Sequence, residues 1–66
     1  MYKIEISDEN CNEFITNLPI IPKEGQSIYY QWDNNLAPYH KKIYSVSFML
    51  KEKGEFDYIR LDVESF

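Results

Sequence analysis

Apolar and polar residues alternate most regularly between Ile43 and Val63. Tyr44, Val46, Phe48 and Leu50 interleave with Ile43, Ser45, Ser47 and Met49, while Ile59, Leu61 and Val63 interleave with Tyr58, Arg60, Asp62 and Glu64. A repeat of two sends successive side chains to opposite faces, so the stretch predicts two β-strands. Lys51-Glu52-Lys53-Gly54 predicts a four-residue turn between them, with Gly54 at positive φ. That turn sets Val46 opposite Ile59 and Tyr44 opposite Leu61, and both apolar sets then share an inner face. A five-residue turn would pair Ser47 with Ile59 and mix the faces. The chosen register leaves one mismatch, Phe48 opposite Asp57.

Upstream, Tyr2-Lys3-Ile4-Glu5-Ile6 alternates again and predicts a short strand with Tyr2, Ile4 and Ile6 inward. Ser7 or Asp8 supplies an N-cap oxygen, Glu9 and Glu13 put negative charge near a helix N-terminus, and Cys11, Phe14, Ile15 and Leu18 recur at helical spacing. These signals predict a helix from about Asp8 to Asn17, stopped by Pro19. Leu18 to Gly25 reads as a packed connector, because Ile20 and Ile21 are too apolar to leave in water, and Pro22-Lys23-Glu24-Gly25 reads as its turn. Ser27 to Trp32 predicts the next strand, with Ile28, Tyr30 and Trp32 on one side. Asp33-Asn34-Asn35 favours a turn, and Pro38 keeps Leu36 to His40 irregular, so a loop is expected that ends in Tyr39, His40, Lys41 and Lys42.

The order is strand, helix and three-stranded antiparallel meander, an α+β fold in a single domain over residues 1–66. With so little chain, a strongly twisted sheet wrapping one helix, or a partly open small barrel, is the economical arrangement. The meander and its Pro-x-x-Gly entry are similar in pattern to Src-homology-3-like barrels. The expected core is Ile4, Ile6, Phe14, Ile15, Leu18, Ile28, Tyr30, Val46, Ile59, Leu61 and Val63. A domain this small buries only about 60% of its unfolded surface, which leaves little material for a lid or a cofactor cradle.

Charge and composition narrow the function classes. The net charge of −4 and pI near 4.8 repel phosphate backbones. The longest apolar run, Leu18 to Pro22, falls far short of the roughly 20 residues that span a bilayer, so no membrane anchor is expected. Cys11 is the one cysteine and no leader-like segment precedes it, which points to the cytoplasm. The abundance of Ile, Asn, Lys and Tyr beside one Arg and one Ala suggests an AT-rich genome, hence a bacterial, phage or mobile-element origin.

Candidate chemistry is sparse. No ligand-spaced pair supports a metal site, and no cofactor is implied. Cys11 shares its expected helical face with Phe14 and Ile15, which makes it a buried structural thiol. His40 has neither an orienting group nor a nucleophile elbow in reach, so no enzyme is expected. Tyr39, His40, Lys41 and Lys42, with Tyr44, have the composition that stacks bases and holds phosphates, though the cluster is short. The clearest oddity is the hairpin's outer face, where the register gathers Ile43, Met49, Phe56 and Tyr58, with Met49 opposite Phe56. Apolar residues on a face that should be polar point to a contact surface. The resulting expectation is a cytoplasmic interaction module without catalysis that binds a partner protein or itself through that surface. The alternative is a nucleic-acid-linked regulator, or an inhibitor of a nucleic-acid enzyme, using the Tyr39 to Tyr44 loop.

Overall fold

The computed structural model describes residues 1–31 and 38–66. Its elements are β1 (Tyr2–Ser7), β2 (Glu13–Leu18), β3 (Ser27–Tyr30), β4 (Tyr39–Leu50) and β5 (Phe56–Ser65). They form one sheet in the order β2-β1-β5-β4-β3, with β1 parallel to β5 and the other neighbours antiparallel. The sheet curls into a half-barrel, and the described residues contain no helix. The architecture is therefore all-β with five strands, which replaces the α+β, helix-plus-meander fold and the Src-homology-3-like pattern expected from the sequence.

The helix expected from Asp8 to Asn17 is instead a turn and strand β2. The Asp8 carboxylate accepts the backbone N–H groups of Asn10 and Asn12, each at 2.9 Å, and the Asn12 side-chain amide donates to its other oxygen at 3.2 Å. An aspartate oxygen that can cap a helix can also hold a turn by bonding the backbone two residues on. What decides between them here is pairing. Phe14, Thr16 and Leu18 also repeat every second residue, Ile15 and Thr16 are β-branched, and β2 gains a full antiparallel ladder with β1 from Tyr2↔Leu18 to Ser7↔Glu13. An isolated helix of that length is marginal, whereas the ladder satisfies the backbone groups that β1 and β2 turn toward each other.

The β4–β5 hairpin exists as expected, and Gly54 does adopt positive φ (85°). The register is shifted by two residues from the expected one: Val46 faces Leu61, Phe48 faces Ile59 and Met49 faces Tyr58. One residue of the shift comes from the turn, which runs from Lys51 to Glu55, one residue longer than expected, so that Leu50 pairs with Phe56. The other comes from the bulge at Asp57, over which the ladder passes between Leu50 and Met49; across Ile43/Ser45 the ladder passes over Tyr44, which takes one residue of the shift back. A shift by two preserves the inner face, and it removes the Phe48–Asp57 mismatch because Phe48 now lies beside an isoleucine. Each bulge also flips the alternation beyond it. Ile43 and Val46, three apart, thus both point inward.

Ile4, Ile43, Ile59, Leu61 and Val63 are fully buried and Ile6 nearly so, with Phe14, Leu18, Ile21, Ile28 and Val46 packed around them. Each such side chain contributes on the order of 1.5–3 kcal/mol of burial free energy. Ile21 comes from the connector between β2 and β3, whose end is tied to β4: Gly25 N–H donates to the Ile43 carbonyl and Ile43 N–H to the Gln26 carbonyl, both at 2.8 Å. Ile15 departs from the expected core, for it pairs with Glu5 on the outer face and is 60% exposed. Strand β3 ends at Tyr30. The expected continuation to Trp32, the Asp33-Asn34-Asn35 turn and Leu36 lie outside the described residues.

Candidate functional site

The hairpin carries the inner face beyond the part of the sheet that folds over it, and the molecule reaches 41 Å in its longest dimension. Phe48 and Leu50 on β4 lie on this overhang, with Phe56 directly opposite Leu50. Tyr2, at the start of β1, meets the Phe56 ring edge to face, with centroids 6.5 Å apart and planes at 88°. Tyr2, Phe48, Leu50 and Phe56 are between 41% and 60% exposed although they continue the core face. With side chains of this size, roughly 400 Å² of apolar surface stays open, which is the scale at which a patch on a monomer calls for a functional account. Beside it, Val46 and Phe48 form a shallow cavity of about 360 Å³ with Ile21 and Pro22.

The four residues expected to make the outer patch are dispersed. Ile43 is fully buried in the core, because the bulge at Tyr44 reverses its face. Met49 and Tyr58 do pair on the outer face, where both are half-buried and the Lys3 ammonium lies 5.7 Å from the Tyr58 ring centre. Phe56 is on the inner face, carried there by the bulge at Asp57. Sequence alternation alone missed Tyr2, Phe48 and Leu50 as surface residues, since it assigned them to the covered side.

At the opposite end of the sheet, Tyr39 to Lys42 begin β4 rather than end a loop, and the strand separates them. Tyr39 and Lys41 point inward. The Lys41 ammonium is buried, donates to Glu9 Oε1 and, at 2.9 Å, to Ser65 Oγ, and lies 5.6 Å from the Tyr39 ring centre. Ser65 Oγ in turn donates to Glu9 Oε1 at 2.8 Å. The hydrogen bond from Lys41 is the main reason the Glu9 carboxyl is lowered to about 2, and the same bond raises Lys41. A small polar cavity of about 60 Å³ adjoins this staple, lined by Asp8, Asn10, Asn12, Tyr30, Tyr39 and Lys41. Burial and the nearby Asp8 carboxylate push the Tyr30 phenol up.

His40 and Lys42 point outward. The His40 ring is stacked on Tyr29 at 4.0 Å, nearly parallel at 5°, and meets Phe66 at 4.3 Å. Lys42 faces Glu64 across the ladder. Further along the outer face, Arg60 bonds Asp62 at 3.2 Å and Glu5 and Ser7 at 3.3 Å each, which sets the chain's one arginine among carboxylates.

Cys11 is exposed in the β1–β2 turn rather than buried on a helix. Among the described residues no three His, Cys, Asp or Glu side chains converge as metal ligands, and no helix is long and apolar enough to cross a membrane. The fold and its open end define a small β-rich domain with an uncovered aromatic margin. Comparison with protein-family models, curated proteins and solved structures finds no match to this chain.

Proposed function

We propose that this protein is a small interaction module, without catalysis of its own, that docks another protein on the inner face of the β4–β5 overhang. The observation that carries the reading is the contiguity of Tyr2, Phe48, Leu50 and Phe56, half-exposed on the face that elsewhere forms the core. The turn beside them, Lys51-Glu52-Lys53-Gly54-Glu55, supplies a rim of mixed charge around an apolar centre, as at protein–protein interfaces. The open surface is apolar and lacks the convergent polar groups that an active site needs. A reducing cytoplasm suits the exposed thiol of Cys11.

The test is a photo-crosslinking residue placed at Leu50, with one at Ile15 on the outer face as control. A protein adduct formed from Leu50 and not from Ile15 supports the reading, and an adduct between two copies of the chain would make the occupant a second copy. Equal yields at the two positions would remove it.

Nucleic-acid contact has one observation in its favour, the Tyr29–His40–Phe66 stack, on which bases could pile. It is the weaker reading because the buried Lys41 is already held by Glu9 and cannot reach a phosphate.

A further inference from the structure

Strand β4 runs well past the short strand β3 that borders it. Only Tyr39 to Lys42 are laddered to β3, whereas β5 accompanies β4 from Lys41 to Leu50. Beyond Lys42 the last main-chain bonds on the β3 side are those of Ile43 with Gly25 and Gln26. Among the described residues no strand or loop backbone bonds that side of β4 from Tyr44 to Leu50. Ile43 turns both its N–H and its carbonyl to the β3 side. Counting on through the bulge at Tyr44, Val46, Phe48 and Leu50 share its face and turn theirs the same way, into the open. Proteins ordinarily guard such an edge with a charge or a proline. The segment Tyr44-Ser45-Val46-Ser47-Phe48-Met49-Leu50 has neither.

We infer that a second copy of this chain occupies that edge, by antiparallel pairing of β4 with β4 about a two-fold axis at Phe48. The inference rests on the reading of the overhang as a docking surface and names its occupant. A two-fold at Phe48 pairs it with Phe48 of the second copy, and Val46 of each copy with Leu50 of the other. Every free N–H and carbonyl of the three residues then finds a partner. Because the contact uses the same edge of both copies, it is isologous and closes at two. The surroundings fit this register. Leu50 of each copy is carried beside Val46 of the other, where Ile21 and Pro22 wall the shallow cavity of about 360 Å³ that a leucine side chain can enter. Lys51, the next residue, approaches Glu24 at the rim of the same cavity. Neither Lys51 nor Glu24 has an ion partner within its own chain among the described residues. The contact is small, below the roughly 1,200 Å² of a standard interface, so the dimer dissociates in the micromolar range.

Sedimentation of the whole protein from about 10 μM to about 1 mM should follow a monomer–dimer equilibrium. Amide exchange read residue by residue should slow at Val46, Phe48 and Leu50 as the concentration rises. It should not change at Ser47 and Met49, whose amides face β5. That readout needs no variant. Phe48→Ala and Phe48→Pro both remove the ring, but only proline removes the edge N–H, which an edge strand tolerates. In variants shown by circular dichroism to be folded, Phe48→Pro should therefore dimerise at least tenfold more weakly than Phe48→Ala. In a Cys11→Ser background, Phe48→Cys should crosslink two copies under mild oxidation faster than Val46→Cys or Leu50→Cys, because only the residue on the axis meets itself. A protein that stays monomeric throughout, exchange at the three amides indifferent to concentration, or equal weakening by alanine and proline would each overturn the inference. A monomer that still yields a protein adduct from Leu50 overturns this inference alone, and a monomer without that adduct overturns the docking reading as well.

Discussion

Cys11 and Gly54 occupy the same position in two turns closed by the same pair of backbone hydrogen bonds. In the first, Asp8 N–H donates to Asn12 O and Cys11 N–H to Asp8 O; in the second, Lys51 N–H donates to Glu55 O and Gly54 N–H to Lys51 O. Both residues have positive φ, 64° at Cys11 and 85° at Gly54. Glycine adopts that conformation freely, but an L-residue with a Cβ is strained there by about 1–2 kcal/mol.

The two positions should therefore respond oppositely to substitution. Cys11→Gly should stabilise the protein by up to about 1 kcal/mol, the relieved strain less the entropy of a freer unfolded chain. Gly54→Val should destabilise it by about 1 kcal/mol or more. Urea unfolding of the two variants beside the parent checks both signs.

The bulge at Tyr44 makes Ile43 a core residue, so Ile43→Ala should cost as much as Leu61→Ala, on the order of 2–5 kcal/mol each. An outward Ile43 would lose less than about 1 kcal/mol. The same unfolding measurements distinguish the two.

The register can be trapped chemically. In a Cys11→Ser background, cysteines at Met49 and Tyr58 face each other and should oxidise readily to a disulfide, because directly opposed strand positions fall within disulfide reach. Cysteines at Met49 and Phe56, opposed in the register expected from the sequence, lie on different faces and should stay reduced under the same conditions. Mass spectrometry after mild oxidation reads the outcome.

The Lys41–Glu9–Ser65 staple makes acid stability depend on Glu9. Its carboxyl is lowered from 4.5 to about 2 in the folded protein, so the unfolded chain binds this proton more readily. The stabilisation is present above pH 4.5 and is lost progressively as the pH falls toward 2. Thermal melts between pH 2 and 7 should show the parent losing more of its melting temperature over this window than Glu9→Gln. At high pH the raised Lys41 contributes stabilisation that is present below 10.5 and lost as the pH rises through its folded value.

Much of the sheet was legible in the sequence, because period-two alternation is a local property. Tyr2 to Ile6, the β4–β5 hairpin, the inward set Ile4, Ile6, Ile59, Leu61 and Val63, and positive φ at Gly54 all follow from neighbouring residues. The segment from Asp8 to Leu18 was ambiguous at that level. Asp8 suits a helix cap or a turn, Phe14 and Leu18 fit either period while Ile15 fits the helical one, and pairing with β1 selected the strand, which leaves Ile15 on the outer face. The bulges at Tyr44 and Asp57 carry no glycine or proline to announce them. Pairing Phe48 with Ile59 and Ile43 with Val63 places one extra residue, Tyr44, in β4, and pairing Leu50 with Phe56 beside Met49 with Tyr58 places one, Asp57, in β5. The first buries Ile43, and the second moves Phe56 to the inner face and gathers it with Tyr2, Phe48 and Leu50. Local pattern thus determined which residues are apolar in alternation. The tertiary structure decided which alternating face is covered, because coverage depends on strand order and on how far the curled sheet reaches over the hairpin.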